Sequence, residues 1–115
     1  MLSEIIISVT DVDAAIGFYT EACRFRHVRT VTHEGAKVAE LDAFGQRVTL
    51  VAAERPGIQL VLETSNIRAD HRRLTRLGVA RPDQAATVEG GQWLPFTDPD
   101  GNPLAYWKPT EEDRF

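Results

Sequence analysis

Residues 4–9 are mostly β-branched and apolar, the pattern of a strand. Ile5, Ile7 and Val9 therefore fall on one face of a strand, and Glu4, Ile6 and Ser8 on the other. Thr10-Asp11 ends this strand, and Asp11 offers a helix N-cap. From Val12 the period changes: Ala15, Ile16, Tyr19 and Ala22/Cys23 recur at spacings of three and four, which predicts a helix with Phe25 anchoring its exit. Residues 26–33, 36–44 and 47–53 read as three strands, separated by turns at Glu34-Gly35 and Gly45-Gln46. Arg55-Pro56-Gly57 is the clearest break in the chain.

The same pattern then returns. Residues 58–62 read as a strand, and Asn66 caps a helix carrying Ile67, His71, Leu74 and Leu77, with Gly78 placed at C′. Val79 leads into a polar, irregular stretch over residues 81–91, followed by a strand over 92–97 and a final strand. Between those last two, Asp98-Pro99-Asp100-Gly101 is a turn. Pro99 presets φ near −65°, Asp100 can bond its own backbone, and Gly101 accepts a positive φ. Sliding the chain by 55 residues lays Asp11-Val12 on Asn66-Ile67 and Tyr19 on Leu74. Each half shows a strand, a capped helix and then strands, as a duplicated module would.

Composition narrows the function classes. At 115 residues, 43% apolar and 26% charged, the chain is expected to be one domain over 1–115, with one module at about 1–55 and a second at about 56–115. A net charge of −4 argues against a nucleic-acid or anionic-membrane partner. The single Cys23 excludes an internal disulfide framework and suits a reducing compartment. The N-terminus has no basic n-region and Ile5-Ile6-Ile7 is too short for a membrane segment, so a cytoplasmic location is expected.

The stretch F-x-D-P-D-G-N-x-L-x-x-W over residues 96–107 resembles the closing hairpin of the vicinal oxygen chelate superfamily, which includes glyoxalases, bleomycin-resistance proteins and extradiol dioxygenases. Residues 9–19 resemble that family's first helix entry, and Leu74-x-x-Leu-Gly-Val79 its second helix exit. One departure is Cys23-Arg24, where the family usually has Leu-Gly. The resemblance implies an α+β fold of two β-α-β-β-β modules, forming a curved mixed sheet around a cavity with helices outside. It also implies a homodimer, since short members commonly close their cavities between subunits.

In metal-dependent members, a His or Gln on each module's first strand and a Glu on each module's last strand meet around a divalent ion. Carried over by position, these fall on Glu4, on Thr49 or Leu50, on Gln59 and on Ala105. Alanine and leucine have no donor, so the inherited metal site is expected to be lost, with no metal and no cofactor.

By strand parity, the expected ligand-facing residues are Glu4, Ile6, Ser8, Gln59, Val61, Glu63 and Trp107. Glu4, facing an apolar-walled cavity, is the candidate general base; the alternative is a solvated residue on a terminal strand. Trp107 shares parity with Ala105 and is suited to stack on a planar ligand; otherwise it fills the space of the absent metal. His27 and His33 share parity on one strand, at a separation that matches no metal motif. Arg68, Arg72 and Arg76 form an i, i+4 ladder, expected as a solvated helix face. Cys23 reads as a small apolar residue, because no His–acid pair accompanies it.

Three functions remain open on this scaffold. The first is a metal-free small-molecule binding protein of the sequestration or resistance type. The second is a lyase, epimerase or dioxygenase with a non-standard metal site. The third is a metal-free isomerase or cyclase with Glu4 as base.

Overall fold

The computed structural model describes residues 1–81 and 83–110. One order of elements occurs twice. It runs β1 (Leu2–Val9), α1 (Val12–Glu21), β2 (Arg26–His33), β3 (Ala36–Ala43) and β4 (Gln46–Ala52). It then repeats as β5 (Gly57–Glu63), α2 (Ile67–Arg76), β6 (Ala86–Val88), β7 (Gly91–Thr97) and β8 (Pro103–Pro109). The α+β class and the two β-α-β-β-β modules are thus the observed fold. Two compact units form, one of Ser3–Gln59 and one of the chain from Leu60 together with Met1–Leu2.

In the first unit the strand order is β2-β3-β4-β1, with β1 parallel to β4 and the other neighbours antiparallel. Ile5 lies opposite Val48 and Ile7 opposite Leu50. The core is Val12, Ala39, Leu41, Val48 and Leu50, with Ile5, Ile7, Val9, Ala15, Ile16 and Tyr19 packed against it. The Ile5, Ile7 and Val9 face of β1 therefore packs with α1 around this core.

The second unit repeats this arrangement as β5-β8-β7-β6, with β5 parallel to β8. Its core is Ile67, Leu74, Ala80 and Leu94, flanked by Phe96 and Tyr106. Arg73 ties α2 to the sheet: it donates to Asp70 at 2.9 Å and to the Tyr106 hydroxyl at 3.1 Å, with its guanidinium over the Tyr106 ring.

The helix starts carry the duplication most clearly. Asp11 Oδ1 accepts from the Ala14 N–H at 3.0 Å, and Asn66 Oδ1 accepts from the Ala69 N–H at 3.1 Å. Each satisfies an orphan donor of the first turn. The exits differ. At α2, Gly78 takes φ +77°; its N–H donates to Thr75 O and the Val79 N–H to Leu74 O, a Schellman arrangement. At α1 the left-handed position is filled by Arg24, at φ +63°. The missing glycine is thus replaced by an arginine held in the conformation glycine favours.

Three details depart from expectation. The β3–β4 turn is Phe44-Gly45, both at positive φ, and Ala43 pairs with Gln46; the turn begins one residue earlier than Gly45-Gln46. A bulge between His27 and Arg29 puts His27 opposite Leu41, on the α1 side, and His33 opposite Ala36, on the other. Their shared parity is lost because the bulge inserts one residue. Residues 86–88, expected to be irregular, form β6 against β7.

Between β7 and β8, Asp98 organises the turn. Its Oδ1 accepts from the N–H groups of Asp100 and Asn102, and its Oδ2 from the Asn102 side-chain amide at 2.8 Å. These bonds, the Asn102 amide first, hold the Asp98 carboxyl below its ordinary value. Among the described residues no helix is long and apolar enough to cross a membrane.

Candidate functional site

The strand face turned away from α1 is built from the alternate residues of four strands. β1 contributes Glu4, Ile6 and Ser8, and β4 contributes Arg47, Thr49 and Val51. Glu40 lies opposite Thr49 and Val38 opposite Val51, while Arg29 and Val31 of β2 lie opposite Glu40 and Val38. Arg29, Val31, Val38, Glu40, Arg47 and Thr49 line a depression of about 160 Å³.

Two polar relationships organise this face. Thr49 Oγ1 donates to Glu4 Oε2 at 2.5 Å across the parallel β1–β4 pair. Glu40 is bracketed: Arg29 Nε donates to its Oε2 and Arg47 Nε to its Oε1, each at 2.8 Å. The Glu40 side chain is only 17% exposed, whereas the arginines are 68% and 57% exposed. With a guanidinium on each oxygen, Glu40 is poorly placed to take a proton from a ligand. Glu4, half-buried and with one donor on Oε2 among the described residues, keeps Oε1 for other work.

Sequence reasoning missed Glu40, Arg29 and Arg47. Placing the turn one residue late shifts β3 against β4 by two positions and sets Glu40 opposite Val51. With Phe44-Gly45 as the turn, Glu40 lies opposite Thr49, diagonally next to Arg47.

On the second unit, Val61 lies opposite Ala105 and Glu63 opposite Trp107, on the sheet face away from α2. Trp93 lies opposite Trp107, and the rings meet edge to face at 6.2 Å. Parity thus places Trp107 with Ala105, and adds Trp93, whose facing the sequence left unassigned. Val61 and Ala105 are 1% and 0% exposed; Gln59, Glu63 and Trp107 are half-buried.

A glyoxalase-like domain model matches residues 4–106. The chain belongs to the glyoxalase-like family. No curated protein sequence matches it. Among solved structures, methylmalonyl-CoA epimerase from Mycobacterium tuberculosis is similar at 22% identity and a TM-score of 0.74, over 98% of this chain and 90% of that one. A Streptomyces coelicolor methylmalonyl-CoA epimerase variant, in complex with 2-nitronate-propionyl-CoA, is similar at 18% and 0.69, over 95% and 96%. A Vibrio splendidus 12B01 member of the glyoxalase/bleomycin resistance protein/dioxygenase superfamily is similar at 15% and 0.66, over 91% and 96%. At these identities the likeness establishes the fold.

The glyoxalase-like fold raises the question of a divalent metal, and the donor chemistry does not fit one. Leu50 is 0% exposed in the core beside α1, so the module's second ligand position is Thr49, whose hydroxyl donates to Glu4. Ala105 supplies no donor. One carboxylate, one neutral hydroxyl and the Gln59 amide are a weak set for a divalent ion. Among the described residues no group of three or more His, Cys, Asp or Glu could hold one.

Proposed function

We propose that this glyoxalase-like chain binds an organic small molecule on the face of its first module, without a tightly held divalent ion. The Glu4–Thr49 hydrogen bond carries the reading: two positions that would serve a metal serve each other, leaving a carboxylate oxygen for a ligand donor. Arg29 and Arg47, each with further N–H groups beyond the Nε given to Glu40, supply donors for a carboxylate or carbonyl of that ligand. Val31, Val38 and Ile6 supply apolar contact. On the second module, Trp107 with Trp93 is the proposed stacking surface for a planar group.

A thermal-shift screen of metabolites and antibiotics, with and without divalent metals and chelator, tests this. A ligand at about 100 times its Kd adds roughly 2.7 kcal/mol. Stabilisation by a ligand in chelator supports the reading. Stabilisation seen only with a divalent ion, or about one metal per chain by elemental analysis, sinks it.

A second reading is favoured by the epimerase structures: removal of a proton next to a carbonyl, with Glu4 as base. In that reading Thr49 orients the carboxylate. Solvent deuterium appearing next to the thioester carbonyl of methylmalonyl-CoA, and lost in Glu4→Gln, would favour it. No exchange above the uncatalysed rate would leave sequestration.

A further inference from the structure

Outside that face, α2 carries a row of arginines without ion-pair partners among the described residues. Arg68, Arg72 and Arg76 follow one another at i, i+4, so neighbouring guanidinium stems lie roughly 6 Å apart along a row of about 12 Å. Among the described residues none of the three has an ion-pair partner, whereas Arg73 is bound to Asp70 and Tyr106. The row is unfavourable for the helix itself: like charges repel at this spacing, and Arg68 stands in the first turn, at the positive end of the helix dipole. The chain as a whole is acidic, at −4.

This row also has a shape. Among the described residues, Arg68, His71, Arg72, Thr75 and Arg76 line an open groove of about 570 Å³. His71 is fixed in it, because its Nε2–H donates to the Arg81 carbonyl at 2.6 Å. At the N-terminal end, Arg68 also lines a smaller depression with Lys108 of β8.

We propose that this groove is a binding site for a diphosphate-bearing small molecule. A single carboxylate satisfies one guanidinium. A row of guanidiniums needs several anionic oxygens in line, and phosphate oxygens match the planar guanidinium fork. The Thr75 hydroxyl adds a neutral donor at the far end. The site shares no residue with the Glu4 face, so its test does not depend on that function.

The probes are inorganic pyrophosphate and ADP, titrated calorimetrically at low and at physiological ionic strength, with backbone amide NMR to locate binding. The expected result is saturable binding that shifts the amides of 68–76. Binding falls about tenfold in Arg72→Gln and is unchanged in Arg55→Gln, which removes the same charge elsewhere. ADP tighter than pyrophosphate assigns a nucleoside diphosphate; equal affinity assigns the diphosphate alone. No saturable binding overturns the proposal, as does equal weakening in Arg55→Gln. Shifts confined to the Arg29–Arg47 face, or an altered molecular mass in Arg72→Gln without probe, overturn it as well.

Discussion

Thr49 Oγ1 donates a 2.5 Å hydrogen bond to Glu4 Oε2, joining the last strand of the first module to its first. Both side chains stand on the sheet face that the apolar core does not use. Thr49→Val keeps shape and β-branching and removes only the donor. It should destabilise the protein by about 1 kcal/mol, since a half-buried carboxylate loses its partner and water replaces it only in part. Urea denaturation measures this; an unchanged midpoint would mean that the bond has no net worth.

The two helix exits make a pair of opposite predictions. Arg24 holds φ +63° where Gly78 holds +77° in the second module, and a Cβ at Gly78 would meet nothing within 4 Å. Arg24→Gly should stabilise by about 1 kcal/mol and Gly78→Ala should destabilise by about as much, both through backbone conformation alone. Thermal unfolding of the two variants decides it. A loss in Arg24→Gly would show that the arginine side chain outweighs its strain.

Trp93 and Trp107 meet edge to face, so their energies should couple. In a double-mutant cycle with Leu at each position, the two losses should fall short of additivity by about 1 kcal/mol. Additive losses would mean that the rings contribute only through separate burial. For a planar ligand stacked on this second-module pair, quenching of fluorescence should vanish in Trp107→Leu. Trp93→Phe should weaken it in part, because Trp93 supports the Trp107 ring.

Asp98 sets an acid dependence. Its folded carboxyl titrates below the ordinary 3.8 because Asn102 and backbone N–H groups bond its charged form. The contribution is therefore fully present above 3.8 and is lost as pH falls through the depressed folded value. Stability of the protein and of Asp98→Ala should differ most at neutral pH and converge in strong acid. A gap that stays constant down to strong acid would show that the charged form plays no part.

A homodimer is proposed for the chain in solution. Every residue of the edge strand β2 is exposed, including Val28 at 43% and Val31 at 48%, so among the described residues the strand is open to a second copy. Light scattering should give twice the mass of one chain. A single-chain mass independent of concentration would rule this out.

The sequence by itself determined the modules. The β-branched run of β1, the period of three and four in both helices, the Asp11 and Asn66 caps and the Asp98–Asn102 hairpin are local signals, and these elements formed where their own residues favour them. Strand parity, equally local, placed Trp107 with Ala105 and Glu4 opposite the helix-facing isoleucines. Tertiary structure decided what depends on register. A turn displaced by one residue moved Glu40 beside Arg47, and a bulge sent His27 and His33 to opposite faces. Neither is visible in periodicity, because a two-residue slip preserves parity and a bulge reverses it without changing composition. The Arg68–Arg72–Arg76 row was legible as a ladder, but only the packed structure supplied the groove beside it and showed that the described residues leave its charges unpaired.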